Sequence, residues 1–158
     1  MWGFKKIRGT AYDLTHLDPF VLPVGTVRLR VEFSCHCFTE DYTPLHTPDL
    51  AVNDGSDLRA FCLIRYGHSL GLPAAVKSAV GTTAYLSDGR MHLCASLPGV
   101  QGPYLIAYKI RRGGGRNVDG VMHIATAHHR PNANLALPQA PFNATVFASI
   151  VGGKINWK

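Results

Sequence analysis

The chain has 158 residues and a mass of 17.2 kDa, of which 46% are hydrophobic and 16% charged. This length predicts a single domain over residues 1–158, and the composition excludes an intrinsically disordered chain. Sixteen Lys and Arg against ten Asp and Glu give a formal net charge of +6, which favours RNA or another polyanion as partner. No apolar run has the length of a membrane span or a secretory signal, so we expect a cytoplasmic protein without a membrane partner.

The clearest predicted strand lies in VRLRVEFSCHCF, residues 27–38. Its apolar residues alternate with polar ones, as in a strand with one buried face. The buried face would hold Val27, Leu29, Val31, Phe33, Cys35 and Cys37, and the open face Arg28, Arg30, Glu32, Ser34 and His36. The preceding run, Pro19 to Val24, is expected to pair with this strand through Gly25-Thr26, and Pro23 restricts it to the edge of a sheet.

The next segment carries loop and helix signals. Residues 39–53 contain Pro44, Pro48 and many polar side chains, which predict a long loop. Ser56 is a suitable N-cap for a helix over residues 58–70, and Pro73 starts a second short helix over residues 74–80. We therefore predict a short helical pair.

The rest of the chain predicts five strands separated by turn residues: Thr83–Leu86, Met91–Leu97, Tyr104–Arg111, Val118–His128 and Thr145–Val151. Short connections between consecutive strands favour antiparallel pairing. The predicted fold is α+β, with a curved antiparallel sheet packed on the short helical pair and its opposite face open.

Residues 102–131, GPYLIAYKIRRGGGRNVDGVMHIATAHHRP, form two predicted strands around a glycine turn. They resemble the C-terminal hairpin of RelE/ParE-like toxins, in which a Tyr-rich strand is followed by one ending in His-Arg or Lys-Arg. The matching positions are Tyr104, Tyr108, Lys109, Arg111, Arg112, His128, His129 and Arg130. The chain departs from those toxins in its long strand pair before the helices and in the sequence after the hairpin.

The resemblance implies an activity and a partner. Ribosome-dependent members of that superfamily cleave messenger RNA without a metal, and other members act on DNA gyrase. A toxin of the first kind would need a neutralising partner, here expected to be an acidic antitoxin-like protein that covers the basic face.

Metal-free RNA cleavage needs a base for the 2′-hydroxyl, an acid for the 5′-oxygen and cations for the phosphorane. On the open face of the first strand, Glu32 could orient or deprotonate, His36 could act as acid or base, and Arg30 could hold phosphate. An ordinary solvated strand face with exposed ion pairs is the competing interpretation.

The end of the second hairpin strand gives another cluster, His128, His129 and Arg130, with Arg111 and Arg112 expected close by. Neighbouring strand residues point to opposite faces, so only one of the two histidines can share a surface with a given partner. The predicted catalytic residues are His36, Glu32, Arg112 and His129. The predicted nucleic-acid-binding residues are Arg28, Arg30, Lys109, Arg111 and Arg130.

A zinc site is an alternative that depends on the strand order. Cys35 and Cys37 would share one strand face, as would His92 and Cys94, and the two pairs could hold a tetrahedral zinc if their strands adjoin. Buried free thiols are the competing interpretation, because unpaired cysteines behave as small apolar residues. We therefore predict no metal and no cofactor.

Two functional hypotheses remain open at this point. The first is an RNA-directed, toxin-like protein that acts as a metal-independent endoribonuclease. The second is a non-enzymatic basic binding or accessory protein, of the mobile-element type, that docks an acidic protein or a nucleic acid. Expression of the chain alone distinguishes them, since only the first should arrest growth.

Overall fold

The computed structural model describes residues 1–131 and 135–158 and confirms the α+β class. These residues form three sheets and three α-helices. In chain order the elements are β1 (Phe4–Ile7), β2 (Thr10–Asp13), β3 (Phe20–Val24), β4 (Val27–Phe33), β5 (Thr39–Asp41), β6 (Ala51–Asp54), β7 (Asp57–Phe61), α1 (Leu63–Ser69), α2 (Leu72–Lys77), β8 (Thr83–Ser87), β9 (Arg90–Ala95), β10 (Tyr104–Arg112), β11 (Gly120–His129), β12 (Gln139–Pro141) and α3 (Phe142–Ile150).

The largest sheet has seven strands in the order β12-β8-β9-β10-β11-β4-β3. Strands β8 to β11 lie within two residues of their predicted bounds, and the β3–β4 hairpin is confirmed, with the Pro23 strand at the edge. One pair corrects the antiparallel prediction: β4 runs parallel to β11, because the chain makes a long crossover between them. The sheet is therefore mixed.

A second sheet of three strands, β5-β7-β6, occupies the region predicted as a loop and a helix start. The loop prediction holds for residues 42–47 but is wrong at both ends, which form β5 and β6. At the second end, Asp54 and Asp57 pair across a two-residue turn in which Gly55 adopts a φ of 65°. Residues 57–61 consequently form β7 rather than the first turn of a helix. The helical pair is confirmed in its shorter form, α1 and α2.

The segment predicted as a strand at Thr145–Val151 is helix α3. Its β-branched and aromatic residues favoured a strand, but Phe142, Thr145 and Val146 are buried at helical spacing. This face packs against β10 of the seven-stranded sheet. Tertiary packing therefore outweighs strand propensity here.

Strand β4 carries the predicted alternation over Val27–Phe33, with its apolar residues buried and Arg28 and Arg30 exposed. The strand ends five residues earlier than predicted, and residues 35–37 form a 3₁₀ turn. The Ser34 hydroxyl accepts a hydrogen bond from the His36 backbone N–H, 3.1 Å, which caps this turn. His36 therefore does not lie beside Arg28 and Arg30 on the strand, as the pattern had predicted.

No helix within residues 1–131 and 135–158 combines the length and the apolar character needed to cross a membrane.

Candidate functional site: a basic sheet face and a histidine cluster

Four predicted nucleic-acid-binding residues lie together on the face of the large sheet opposite its core. Arg30 pairs with Val121, which pairs with Arg111, and Lys109 pairs with His123. Laterally paired residues share a face, so Arg28, Arg30, Lys109 and Arg111 form one exposed group, the basic stripe. The backbones of Arg30 and Arg111 are two strands apart, which is roughly 10 Å.

Glu32 lies on the same face and forms an ion pair inside the stripe. Its Oε1 is 3.1 Å from Arg30 Nε, and both side chains are part-exposed. An exposed pair of this kind contributes between about 0 and 1 kcal/mol to stability, so its main effect is to orient Arg30. In register, Glu32 also lies beside His123, which is in turn beside Lys109.

The two ends of the β10–β11 hairpin lie far apart, which separates the other predicted residues. Arg112 pairs with Gly120, whereas His129 pairs with Tyr104. In an antiparallel hairpin the end of the first strand meets the start of the second, so the expected proximity of Arg111 and Arg112 to His128, His129 and Arg130 was wrong. Tyr104 and Arg112 are about 26 Å apart along the strand.

A histidine cluster lies at the Tyr104 end of the hairpin, built around a β-bulge. Ala107 pairs with Thr126 and Tyr108 with Ile124, which leaves Ala125 as the extra residue of β11. The Ser34 hydroxyl donates to the Ala125 carbonyl at 2.7 Å, and the Ser34 backbone N–H donates to the Ile124 carbonyl at 3.0 Å. These bonds fix the 3₁₀ turn that carries His36 against β11.

Arg65 of α1 holds the same turn from its other side. Its Nη1 donates to the Thr39 carbonyl at 2.7 Å and to the His36 carbonyl at 3.4 Å. Side-chain hydrogen bonds from a charged donor are among the stronger ones in proteins. Arg65 is therefore a positioning residue for His36.

The cluster, defined as His36, Arg65, His128 and Arg130, combines two imidazoles in different surroundings. Burial first, then the charges of Arg65, Arg130 and His36, lower the pKa of His128 to about 4, so this ring is neutral at pH 7. Its Nε2 contacts the Thr126 hydroxyl. His36 Nε2 instead lies 3.3 Å from an Asp57 carboxylate oxygen.

His129, the other predicted catalytic histidine, lies on the helix side of the sheet. Its ring makes an edge contact with His68 at a centroid separation of 6.0 Å, and its Nε2 contacts the Gln101 carbonyl. Strand alternation thus assigns the two neighbouring histidines to different surfaces, as predicted. His128, not His129, joins His36.

The strand order removes the arrangement that the zinc alternative required. Cys35 and Cys37 lie beside β11, whereas His92 and Cys94 are on β9, with β10 and β11 between the two pairs. Burial raises the pKa of Cys35 to about 11 and that of Cys37 to about 12, so both remain thiols. In residues 1–131 and 135–158, no group of three or more His, Cys, Asp or Glu has metal-binding geometry.

The sequence profile described as the YjaZ family matches residues 4–151. The chain belongs to the YjaZ family. The match runs from the first residue of β1 to just past α3, and so includes both the basic stripe and the histidine cluster. Neither the curated proteins nor the solved structures contain a match to this YjaZ family member.

Sequence reasoning missed two residues beside the cluster of this YjaZ protein. Asp57 contacts His36, and buried Arg59 donates to Asp41 at 2.5 Å and to Thr39. Asp57 and Arg59 lie on β7, which was predicted as helix. The turn residues Gly55 and Ser56 between two short runs were the signal that could have revealed this hairpin.

Proposed function

We propose that this chain binds RNA along the basic stripe and cleaves it, without a metal, at the histidine cluster. The observation that carries the proposal is the shared exposed face of Arg28, Arg30, Lys109 and Arg111, which come from two strands distant in sequence. Contacts from such cations to phosphates supply most of the affinity in sequence-independent nucleic-acid binding. Binding along the stripe would place the strand on the sheet that also carries His128.

The chemistry assigned to the cluster is transesterification at phosphorus. Neutral His128 accepts the proton of the 2′-hydroxyl, whose oxygen attacks the adjacent phosphorus. The bond from phosphorus to the 5′-oxygen breaks, and this oxygen takes a proton from His36, which leaves a 2′,3′-cyclic phosphate and a 5′-hydroxyl. Arg130 stabilises the charge of the phosphorane, and Arg65 keeps the turn of His36 in place. Glu32 orients Arg30 within the stripe. Arg112 has no role in this scheme, because it lies at the far end of the hairpin and, next to Arg111, on the opposite face of the sheet.

The test is cleavage of a 5′-labelled single-stranded RNA by the purified chain in the presence of EDTA. The expected products carry 2′,3′-cyclic phosphates, and His36→Ala and His128→Ala each reduce the rate by at least 100-fold, in the usual range for general acid–base catalysis. His46→Ala is the matched control, because His46 bonds to Thr43 in the loop after β5. Intact RNA after prolonged incubation with the wild-type chain would refute the cleavage proposal.

A second candidate function is a non-enzymatic binding protein. Arg112 lies about 26 Å along β10 from Tyr104, which pairs with His129. The residues predicted to be catalytic therefore do not form one site, and this separation favours a binding protein. This candidate predicts binding of nucleic acid or an acidic protein with no cleavage. Cytoplasmic expression of the lone chain distinguishes the two, because an endoribonuclease without its acidic antitoxin-like partner should arrest growth.

A further inference from the structure

The open face of the large sheet also contains a groove of about 650 Å³, beyond the basic stripe. Its floor is formed by Leu105 and Ala107 of β10, the strand between its two walls. His92 of β9 forms one wall, and Thr126 and His128 of β11 form the other. The groove is therefore continuous with the histidine cluster through His128.

The register explains why a groove forms at this point. Ala107 pairs with His92 on one side and with Thr126 on the other, so a methyl group lies between two larger side chains. The walls are two strand spacings apart, roughly 10 Å between backbones, before their side chains are counted. Such a channel admits one row of bases and excludes a double helix.

The groove has a cation near each end. Arg90 precedes the residue that pairs with Tyr108, and the Arg130 backbone N–H donates to the Pro103 carbonyl at 2.9 Å. Arg90 and Arg130 are thus about six residues apart along β10, or roughly 20 Å. At about 3.4 Å per stacked nucleotide, roughly six nucleotides cover this distance.

The walls are suited to bases, whereas the ends are suited to phosphates. Burial lowers the pKa of both His92 and His128, so both rings are uncharged at neutral pH and can stack on or hydrogen-bond to bases. Arg90 and Arg130 remain charged and can bind phosphates. Asp88 is the one carboxylate among the described residues that line the groove, so the two arginines give the groove a net positive charge.

We infer that this groove binds a single-stranded RNA segment of about six nucleotides, with bases over Ala107 and phosphates at Arg90 and Arg130. The inference rests on the proposed function, since it takes RNA as the ligand. It adds a selectivity for single strands that the basic stripe alone would not give. It also places the strand beside His128.

The experiment measures the affinity of the full chain for a labelled 2′-O-methyl RNA dodecamer, which cannot be cleaved through its 2′-oxygen, and for the same strand in a duplex. We expect the single strand to bind at least tenfold more tightly. Ala107→Phe fills the groove and should weaken single-strand binding at least tenfold while leaving duplex binding unchanged. Ala107→Ser, which keeps the groove open, is the matched control.

A second variant tests the groove without changing a buried residue. Arg90 is exposed, and Arg90→Gln should weaken single-strand binding several-fold, whereas Arg8→Gln, an equal loss of charge on the β1–β2 turn, should not. Equal affinity for single strand and duplex, with no effect of Arg90→Gln, would overturn the proposed binding in the groove but not the proposed binding along the basic stripe. Absence of RNA binding, with binding of polyglutamate instead, would overturn both proposals.

Discussion

Acidification should destabilise the protein through His128. The pKa of this ring is about 4 in the folded chain against an ordinary value of 6.5, so the unfolded chain binds the proton more tightly. The stability contributed by the neutral ring is therefore complete above about pH 6.5 and is lost as the pH falls towards 4. Between pH 7.5 and 5.0 the linkage relation gives a loss of about 2 kcal/mol in the free energy of unfolding. We halve this loss to about 1 kcal/mol because the part-buried ring is screened by solvent.

Urea unfolding of the wild type and of His128→Gln at both pH values measures this effect. Glutamine keeps a hydrogen-bonding partner for Thr126 but does not titrate, so the wild type should lose about 1 kcal/mol more than the variant. Burial also lowers the pKa of His16 and His68, but these groups contribute equally to both proteins. Equal losses in the two proteins, or an NMR titration of His128 at pH 6.5 or above, would refute the reasoning.

Three further predictions concern the fold, each checked by urea unfolding. In Gly120→Ala, the new Cβ would lie 2.6 Å from the Arg111 carbonyl oxygen, so backbone must move and stability should fall by about 1–3 kcal/mol; an unchanged midpoint would contradict this packing. Thr145→Val should lower the free energy of unfolding by about 1–3 kcal/mol, more than Tyr108→Phe does. The reason is that Thr145→Val leaves the buried Tyr108 hydroxyl without its partner, which is now 2.8 Å away. A larger loss in Tyr108→Phe would be inconsistent with this bond. Leu29→Ala should cost about 2–5 kcal/mol because Leu29 is fully buried, and a loss below 1 kcal/mol would show that the site collapses.

The basic stripe could be predicted from the sequence because it depends on one local rule. Side chains alternate along a strand, so Arg28 and Arg30 had to share a face, as did Lys109 and Arg111. Which strands adjoin is a long-range property, and only the structure shows that β11 lies between these two pairs. The stripe is thus a product of local alternation and non-local pairing.

The histidine cluster was only partly accessible to sequence reasoning. His36, Asp57 and Arg65 come together because β7, which carries Asp57, is the second strand of a hairpin that the pattern had assigned to loop and helix, and α1, which carries Arg65, follows it. Their spacing along the chain carries no signal of this contact. The separation of Arg112 from His129, in contrast, follows from antiparallel pairing alone and could have been predicted from the hairpin.

Helix α3 shows the limit of residue propensity. The run from Thr145 to Val151 is rich in residues that favour strands, yet Phe142, Thr145 and Val146 form a buried stripe with helical spacing. That stripe becomes visible only when the pattern is extended back to Phe142. Once formed, the helix covers β10 on the core side of the sheet and leaves the opposite face free for the basic stripe.

The most direct test of the account is the salt dependence of RNA binding by the wild type and by the double variant Arg30→Gln, Arg111→Gln. A single-stranded, 2′-O-methyl RNA serves as ligand, and the Arg8→Gln single variant reports the effect of a charge removed elsewhere. Each phosphate contact contributes about 0.7 to the slope of log affinity against log salt concentration, so the double variant should lose about 1.4 from the slope and bind more weakly. A double variant with the slope and affinity of the wild type would contradict the assignment of the open sheet face as the RNA-binding surface.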